Sequence, residues 1–300
     1  MTKDKGKLPV DENFKKSSEE NPLISILIVT YNAGKYLEEA LHSVFYQTYK
    51  NIELIVVDGN SQDNTKEILD KYNEKIDYWI SEPDAGQSNA FNKGFSLCNG
   101  ALLTWLNSDE LFLPDAIESV VRAFKKNSRY NWFTAGIVFT DEKLNIIKMR
   151  KGEGGARVLK NLGILNVYGS STFFTKNLFF QAGGMDEDLH YTMDTDLWWR
   201  FSNMNEEFFR VKNYLCLYRL HEGSKTAGHV VTGVNRNPKH QSEVDRLAKK
   251  YGSQYGDKSY LIMTKLIRNI FRLLSFSYMQ SVFDSIQFKG KSSLEVFRIK

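Results

Sequence analysis

Cysteine is scarce in this sequence, which excludes cross-linked folds and cysteine-ligated metal sites. The 300 residues include two cysteines, Cys98 and Cys216, which are far apart and outside any C-x-x-C pattern. This arrangement supports neither a disulfide framework nor a zinc knuckle. We expect both residues to be buried free thiols in a reducing compartment.

Long apolar runs are absent as well. No stretch approaches the roughly 18 to 20 consecutive apolar residues that a membrane-spanning helix needs. Residues 1–21 are charge-balanced and lack the apolar core of a secretion signal. We therefore predict a disordered leader over residues 1–21 and a cytoplasmic protein.

Excess charge of one sign is limited to one end of the chain. The formal net charge of +4 gives no case for a nucleic-acid partner. From Asp245 to Lys300, however, eleven Lys and Arg residues accompany only four Asp and Glu residues. The basic character is therefore concentrated in the C-terminal fifth of the chain.

Several common enzyme motifs are also missing. No G-x-G-x-x-G follows an apolar run and no G-x-x-x-x-G-K-[ST] occurs, which excludes the dinucleotide fingerprint and the phosphate-binding P-loop. The sequence contains neither H-E-x-x-H nor the G-x-S-x-G of a nucleophile elbow. Any phosphate group would therefore have to be bound by a metal ion and by side chains.

The first 125 residues alternate strand-like and helix-like patterns. Continuous apolar runs predict buried strands at Leu23–Val29, Ile52–Val57 and Ala101–Leu106, with a short strand around Asp77–Ile80. Helical spacing predicts helices at Leu37–Val44, Asn64–Tyr72, Ser88–Leu97 and from Pro114 to about Phe124. Such alternation predicts an α/β fold, with a mostly parallel sheet flanked by helices.

The pattern changes in the second half of the chain. We predict an antiparallel pair at Trp132–Phe139 and Ile146–Met149, a strand at Tyr168–Phe174, a helix ending at Gly183-Gly184, a helix at Asp194–Met204, one or two strands in Phe208–Leu220 and a helix from Tyr260 to about Gln287. The predicted domain covers 22–228, with halves at 22–125 and 126–228. We predict that residues 229–300 form a basic helical C-terminal extension.

Carboxylates are expected to gather where the parallel strands end. Asp58, Asp63, Asp84 and Asp109 all follow predicted strands, and ligands bind at this edge of such sheets. A hard divalent cation that bridges phosphate oxygens would offset the repulsion among them. Asp63 and Asp84 are also explained by turns and helix starts. Asp109 ends an apolar strand without a capping pattern, so it is the preferred metal ligand.

At this point the residues carry a resemblance. Segments in consistent order between Leu23 and Thr226 resemble family 2 glycosyltransferases, which are inverting enzymes with the GT-A fold. They read ISILIVTYNAGKYLEEALHSVFYQTYKNIELIVVDGNSQDNTKEIL, SEPDAGQSNAFNKGF, GALLTWLNSDE, GGMDEDLHYTMDTDLWWRF and YRLHEGSKT. The resemblance implies a nucleotide-sugar donor and a cofactor ion, Mn²⁺ or Mg²⁺.

The resemblance also implies roles for residues on the donor side. Thr30, Tyr31 and Asn32 would line the nucleotide pocket, Asp58 would bind the base, and Asp84 and Lys93 would approach the nucleotide-sugar. Asn107, Ser108 and Asp109 stand in place of the family's D-x-D motif, with Asp109 as the metal ligand. Asn107 replaces an acid there, which leaves Asp109 as the firm ligand. Glu110 follows as an additional acid.

On the acceptor side, the chemistry needs a carboxylate that takes a proton from the acceptor hydroxyl. The resemblance places this base at Asp194, with Met193 in place of the preceding Glu. Asp196 is the less favoured alternative, and both acids also suit the start of a helix. Arg200 is expected to pair locally and orient that helix.

A later cluster suits a leaving group. The resemblance suggests Arg219, Ser224 and Lys225 for the diphosphate and His221 for the diphosphate or the metal, although a lone histidine is as often structural. Tyr191, Trp198 and Trp199 are candidates for stacking on a sugar ring, with core packing as the alternative for one Trp.

Partners and rival functions follow from the same patterns. The expected donor is UDP-linked, ahead of GDP or dTDP, and the acceptor is a saccharide or a lipid-linked sugar in surface polysaccharide or glycolipid assembly. The basic C-terminal helices suit either a solvated face or peripheral membrane contact through 260–288. Two other functions remain open: a nucleotidyltransferase on a similar sheet, and a non-catalytic sugar-binding protein with a decayed site.

Overall fold

Strands and helices alternate through the first half of the chain, as the apolar pattern predicts. The computed structural model describes residues 20–151, 167–224, 237–251, 266, 270 and 276–299. In the first half the elements are β1 (Ile24–Thr30), α1 (Leu37–Phe45), β2 (Ile52–Asp58), α2 (Thr65–Lys71), β3 (Tyr78–Ser81), α3 (Gln87–Leu97), β4 (Leu102–Asn107), β5 (Leu111–Phe112) and α4 (Ala116–Lys126). Helix α4 begins two residues after Pro114, which we had expected in its first turn.

The first four strands form a parallel sheet in the order β3-β2-β1-β4. In its register Thr30 lies beside Asp58, Asp58 beside Ser81, and Val29 beside Asn107. The carboxyl ends of these strands therefore meet at one edge of the sheet. The polar residues that follow each strand are brought together there, as predicted.

Both faces of this sheet are covered, which explains the continuous apolar runs. Alternate residues of β1 point to opposite sides, so Ile24, Ile26 and Ile28 join one core cluster and Leu27 joins the other. The first cluster packs under α1 and α4, and the second packs under α3. A strand buried on both sides has no polar face, so its sequence shows no alternation.

The second half contains antiparallel strands and further helices. Its elements are β6 (Trp132–Thr140), β7 (Ile146–Arg150), a 3₁₀ turn (Gly169–Ser171), β8 (Thr172–Thr175), α5 (Lys176–Gln181), α6 (Met193–Asn203), β9 (Phe208–Arg219), α7 (Pro238–Tyr251), α8 (Phe276–Phe288) and α9 (Ser293–Val296). The expected pairing of β6 with β7 is antiparallel. Helix α5 ends at Gln181, two residues before Gly183, whose φ of 87° suits glycine.

One predicted strand begins later than expected. We predicted a strand over Tyr168–Phe174, but residues 169–171 form a 3₁₀ turn and β8 starts at Thr172. The carbonyl of Tyr168 accepts hydrogen bonds from the Ser171 amide (3.2 Å) and the Thr172 hydroxyl (2.8 Å). These local bonds compete with extension of the strand.

The halves join in one mixed sheet with the order β3-β2-β1-β4-β8-β6-β9-β5, in which β7 pairs with β6. Strand β9 is a single strand that runs parallel to β6. The sheet is parallel from β3 to β4 and mostly antiparallel beyond β4, with helices on both faces. The predicted α/β class, with antiparallel strands in the second half, is confirmed.

The C-terminal helices pack on the rest of the protein where the structure describes them. Leu247 of α7 is 2% exposed within a core cluster, and α8 lies along β7. The predicted leader falls mostly outside the described residues, and so do residues 260–265, 267–269 and 271–275 of the predicted C-terminal helix. The domain boundaries remain predictions. Among the residues described, no helix is long and apolar enough to cross a membrane.

Both cysteines are free and buried, as expected. Cys98 lies in the cluster under α3, and Cys216 lies in β9. Burial raises the pKa of both thiols, because a thiolate loses its hydration inside the protein. Neither is a reactive thiol at neutral pH.

Candidate active site

The carboxyl ends of the parallel strands open into a cavity of about 1260 Å³. Opposite these strand ends lie the start of α6 and the loop after β9. The predicted site residues that line the cavity are Thr30, Tyr31, Asn32, Asp84, Asn107, Ser108, Asp109, Asp194, His221 and Ser224. Asp58, Lys93 and Arg219 are not part of this lining, and Lys225 lies outside the described residues.

The loop after β1 is fastened to the loop after β2. Asn32 has a φ of 49°, a left-handed conformation that asparagine tolerates better than most residues. Its amide donates to Ser61 Oγ (2.7 Å), and its side-chain oxygen accepts from the Gln62 amide (2.8 Å). The buried Thr30 hydroxyl has no hydrogen-bond partner in the described part of the chain. Thr30 lines the cavity and carries a buried hydroxyl whose hydrogen-bonding capacity is unused there.

Asp58 is fully buried behind this loop. Its carboxylate accepts from the Ser61 amide (3.0 Å), from Ser81 Oγ (2.6 Å) and from Ser61 Oγ. These contacts fix the loops that follow β2 and β3. A contact between Asp58 and a nucleotide base stays a prediction.

Asp63 acts as a cap. Its carboxylate accepts from the Thr65 amide (3.0 Å) at the start of α2 and from the Gly34 amide (2.9 Å). Although partial desolvation acts to raise its pKa, the hydrogen bonds from Thr65 and Gly34 bring the pKa below its usual value. The capping interpretation is therefore confirmed for Asp63.

Asp84 lines the cavity, and its carboxylate packs against Gly59, which has no side chain. A Cβ on Gly59 would stand 2.8 Å from Asp84 Oδ2, so only glycine fits there without movement. The other oxygen of Asp84 accepts from the Gly86 amide (2.8 Å). Lys93 pairs with Glu82 (2.8 Å) and so braces this loop from outside the cavity. Its contact with a nucleotide-sugar stays a prediction.

Asp109 and His221 form a pair of side chains in the cavity that could ligate a metal ion. Asp109 Oδ2 lies 2.9 Å from His221 Nε2, and both side chains are partly exposed to the cavity. Asp109 sits in the turn between β4 and β5, and His221 follows β9. The antiparallel pairing of β5 with β9 brings the two residues together.

Arg219 supports this turn from behind. The Arg219 side chain is 3% exposed and donates to the Asp109 carbonyl (3.2 Å), to the Glu142 carbonyl (3.0 Å) and to the Glu39 carboxylate. These contacts hold the Asp109 turn in place. A contact between Arg219 and a diphosphate stays a prediction.

Glu110 is a buried acid beside Asp109. It lies 2% exposed at the cavity wall, where the side-chain amide of Asn107 donates to its Oε1 (2.9 Å). Burial, together with the charge of Asp109, raises the Glu110 pKa to about 7. The substitution of Asn107 for an acid therefore leaves a hydrogen-bonded pair beside Asp109 in place of two competing carboxylates.

Asp194 and Asp196 have different surroundings, although both lie in the first turn of α6. Asp194 lines the cavity, and desolvation raises its pKa against the effect of its hydrogen bonds with Thr195. Asp196 is fully buried and accepts from Arg200 (2.7 Å), Lys250 (2.8 Å) and Tyr251 (2.6 Å). Of the two, only Asp194 lines the cavity.

The aromatic residues near Asp194 also differ in whether they line the cavity or pack in the core. Trp198 is stacked between Trp105 and Trp132, with ring centroids 5.5 and 5.7 Å apart, and Trp199 stacks on Tyr251 at 5.7 Å. Both Trp198 and Trp199 are buried, so their predicted role in sugar stacking is wrong. Tyr191 does line the cavity.

Sequence reasoning missed His190. Its ring lines the cavity beside Gly86, where an added Cβ would stand 3.3 Å from His190 Cε1. Gly86 has a φ of 115°, a conformation that residues with a side chain rarely adopt, so the backbone favours glycine there. The position of His190 immediately before Tyr191, in a segment already identified as acceptor-side, was the available signal.

The Asp109 and His221 side chains suit a metal ion whose other ligands come from a bound substrate and water. Among the described residues, no three His, Cys, Asp or Glu side chains converge on one point. Asp109 Oδ2 and His221 Nε2, 2.9 Å apart, match neighbouring ligands of one ion, which lie about 3 Å apart when each bond is about 2.1 Å. A carboxylate and an imidazole are acceptable to Mn²⁺, with the remaining positions left for phosphate oxygens and water.

The sequence matches the model of Glycosyl transferase family 2 over residues 25–181. This chain belongs to that family. The match begins in β1 and ends with the last residue of α5, so it contains Asp109 but neither Asp194 nor His221. Because the family is one of glycosyltransferases, the predicted enzyme class is confirmed and the nucleotidyltransferase alternative falls away.

Curated relatives agree with this assignment. An uncharacterized glycosyltransferase of Rickettsia typhi is 32% identical over 218 residues, which cover 70% of this chain and 68% of that protein. Glycosyltransferase GlyG of Streptococcus pneumoniae serotype 4 is 37% identical over 101 residues, which cover 33% of this chain and 34% of that one. A Rickettsia conorii glycosyltransferase is matched over only 31% of its length, so some relatives are much longer.

Solved structures show the same fold at low identity. TarS 1–349 of S. aureus, in complex with UDP-GlcNAc, has a TM-score of 0.56 and 18% identity, covering 75% of this chain and 65% of that one. The mannosyltransferase PcManGT from Pyrobaculum calidifontis, in complex with GDP-Man and Mn²⁺, has a TM-score of 0.54 and 15% identity, covering 89% and 87%. The family 2 chain thus has the GT-A fold that its sequence implied.

Proposed function

We propose that this family 2 glycosyltransferase is an inverting, metal-dependent enzyme that transfers a sugar from a UDP-linked donor to an acceptor hydroxyl. The observation that carries the proposal is that the Asp109–His221 pair and Asp194 line the same cavity. One structural neighbour binds UDP-GlcNAc and another binds GDP-Man with Mn²⁺, which supports a nucleotide-sugar and a divalent ion here.

The donor occupies the edge of the parallel sheet. Thr30, Tyr31 and Asn32 line its nucleotide end, and the unused Thr30 hydroxyl donates to it. Asp84 approaches the sugar from the loop after β3. Asp109 and His221 would hold Mn²⁺ or Mg²⁺, and the ion would supply positive charge to the diphosphate.

The acceptor reacts on the opposite side of the cavity. Asp194 takes the proton of the acceptor hydroxyl, and the acceptor oxygen forms a bond to the anomeric carbon of the donor sugar. The bond from that carbon to the diphosphate breaks, and its electron pair leaves with the diphosphate. A raised Asp194 pKa suits this task, because a stronger base accepts the proton more readily. Attack opposite the leaving group inverts the anomeric configuration.

Thermal stability with added nucleotides tests the donor site. UDP with Mn²⁺ should stabilise the wild-type protein by about 2.7 kcal/mol at a hundred times its Kd. GDP and dTDP should stabilise it less, and Asp109→Asn should remove the part that depends on Mn²⁺. The exposed Asp70→Asn is the matched control and should behave as wild type. An Asp109→Asn protein with a full Mn²⁺ response would contradict the metal assignment.

Release of nucleoside diphosphate tests whether the site is catalytic. Wild-type protein with Mn²⁺ is incubated with UDP-GlcNAc, other UDP-sugars and GDP-Man, and the released diphosphate is measured. Slow release from a UDP-sugar, lost without metal, supports the proposed transferase. If diphosphates bind but no donor is cleaved and no sugar is transferred, the decayed sugar-binding protein becomes the better interpretation.

We also propose that helix α8 contacts a lipid surface that carries the acceptor. Its outer side exposes Phe276 (82%), Met279 (52%), Phe283 (65%) and Ile286 (76%), and Lys289 and Lys291 follow the helix. Its acid, Asp284, is turned inward to the Tyr214 hydroxyl (2.6 Å). Sedimentation with phosphatidylglycerol-containing vesicles should exceed that with phosphatidylcholine alone and fall in Phe283→Ser; equal sedimentation in all cases contradicts lipid contact.

A further inference from the structure

The start of α6 is capped by a carboxylate from another helix. Glu243 of α7 accepts hydrogen bonds from three successive backbone amides, those of His190 (2.9 Å), Tyr191 (2.8 Å) and Thr192 (3.0 Å). The Thr192 hydroxyl adds a fourth bond (3.1 Å). One side chain thus binds the three backbone amides immediately before α6.

The amide of Thr192, at the N-cap of α6, has no acceptor within the helix, and the N-terminus of a helix attracts negative charge. His190 and Tyr191 precede the helix, and Glu243 is the acceptor for their amides as well. Thr192 occupies the N-cap position of α6 without making a side-chain capping bond of its own. Desolvation acts to raise the Glu243 pKa, but the bonds from residues 190–192 outweigh it and hold the pKa below its usual value. Glu243 is therefore a charged cap at neutral pH.

Helix α7 is itself held in one position against α6. Leu247 is buried in the core cluster that contains Leu197 and Trp198. One turn further along, Lys250 and Tyr251 both bind the buried carboxylate of Asp196. Glu243 at one end and the Asp196 contacts at the other tie the two helices together at two points.

The segment that Glu243 binds forms a wall of the cavity. His190 and Tyr191 line it, and Asp194 lies two residues beyond Thr192. Asn237, just before α7, donates to the Tyr191 hydroxyl (3.0 Å), and the His240 ring packs against the Tyr191 ring with centroids 5.9 Å apart. Residues 237–251 therefore fix both the backbone and the aromatic side chain of this wall.

We infer that Glu243 is a positioning residue for sugar transfer, which holds residues 190–192 so that Tyr191 and Asp194 face the acceptor. Glu243 lies outside the segment that matches the family, and it does not line the cavity. The inference rests on the proposed role of Asp194 as the base. A purely structural cap would instead support the whole fold, and its removal would weaken donor binding and stability together.

Hydrogen exchange tests the structural part in the full chain. In Glu243→Ala, amide exchange in peptides that cover 190–192 should rise at least tenfold, while peptides from β1 and β2 keep their wild-type rates. Glu243→Gln keeps an oxygen for the Tyr191 and Thr192 amides, so its exchange should be intermediate. Asp245→Ala removes an exposed acid of the same helix and should change nothing. Unchanged exchange at 190–192 in Glu243→Ala overturns the inference.

Turnover tests the functional part. The donor is the nucleotide-sugar that the wild type cleaves fastest in the release assay, with Mn²⁺. Glu243→Ala should lower kcat 10- to 100-fold and leave the donor KM within twofold of wild type, and Glu243→Gln should restore part of kcat. An unchanged kcat overturns the inference. The inference is also overturned if Glu243→Ala has lower thermal stability and its lower activity is explained entirely by a higher donor KM.

Asp194→Asn separates this inference from the function on which it rests. If Asp194→Asn is inactive and Glu243→Ala is normal, the positioning role fails and the proposed base stands. If Asp194→Asn keeps wild-type turnover, the base assignment fails, and with it the claim that Glu243 positions Asp194. Loss of kcat in both variants, with donor KM retained, supports both.

Discussion

The two walls of the cavity are held in place by different kinds of contact. On the donor side, the loops after β1, β2 and β3 bind one another through Asn32, Ser61 and Asp58, all within the parallel sheet. On the acceptor side, residues 190–192 have their amides bound by Glu243, about fifty positions later in the chain. The wall proposed for the donor is held by contacts among its own loops, whereas the wall proposed for the acceptor also has contacts with the separate helix α7.

This difference separates what each wall needs in order to form. A donor pocket built from neighbouring strand ends forms whenever the sheet forms. The acceptor wall needs α7 as well, so it can change while the donor pocket stays the same. The following variants test this division.

The largest expected effect is on the acceptor wall. Asp194→Asn removes the base but keeps the shape of the side chain, so turnover should fall about 10²- to 10⁴-fold. The affinity for UDP with Mn²⁺, measured by titration calorimetry, should stay within twofold of wild type. Loss of UDP affinity in this variant would show that the two walls are not independent.

The pH dependence of turnover checks the same residue. A base must be deprotonated to act, so turnover falls as the pH drops through the Asp194 pKa. Since desolvation raises that pKa, the acid limb of kcat should lie above the ordinary value of about 3.9. An acid limb at or below that value would contradict a desolvated base.

Asp58→Ala should damage the donor wall. It leaves the Ser61 amide and the Ser61 and Ser81 hydroxyls without their buried acceptor, so the free energy of unfolding should fall by about 3 kcal/mol. UDP affinity should fall with it, because the loops lose their shape. Urea denaturation and calorimetry measure the two effects. Asp70→Ala, at an exposed site, should change the unfolding free energy by less than about 0.5 kcal/mol.

Gly59→Ala should affect the donor wall more narrowly. The new Cβ meets Asp84 Oδ2 at 2.8 Å, so Asp84 must move. We expect the affinity for a UDP-sugar to fall about tenfold, or about 1.4 kcal/mol, with little change in stability. Gly183→Ala should instead lower the free energy of unfolding and leave the affinity for a UDP-sugar unchanged. Gly183 has a φ of 87°, which strains alanine, and it does not line the cavity.

The smallest expected effect is at the outer side of α7. Arg246 is 47% exposed and lies 3.5 and 3.4 Å from Asp186 and Asp188, and surface pairs of this kind contribute less than about 1 kcal/mol. Arg246→Ala should leave kcat within twofold of wild type. A loss as large as that expected for Glu243→Ala would mean that α7 acts through its surface charges and not through the Glu243 cap.

The sequence predicted the donor wall better than the acceptor wall, because the donor wall is built from local patterns and the acceptor wall depends on contacts between distant residues. Buried strands and the polar residues that end them are local patterns, and parallel pairing brings their ends together. Asp109 was singled out by its position after a buried strand, and Asp194 by the family resemblance. Both line the cavity, and their roles stay predictions. Asp63 could be recognised as a cap because its partner, Thr65, is two residues away.

What the sequence did not reveal depends on contacts between distant residues. Strand β5 has only two residues, too few for any periodicity, yet its pairing with β9 brings Asp109 to His221. The direction of Trp198 depends on how α6 packs, so a sugar-stacking role was inferred for a core residue. Glu243 looks like any helical glutamate until α7 is placed beside residue 190.

The stack of Trp105, Trp198 and Trp132 gives this glycosyltransferase an internal optical reporter. Its three indoles come from β4, α6 and β6, and Trp105 also lines the cavity. Near-ultraviolet circular dichroism depends on fixed packing of aromatic rings. A rotation of α6 relative to the sheet would therefore change the spectrum without any attached label, so acceptor-wall movement can be followed during donor binding in the unmodified protein.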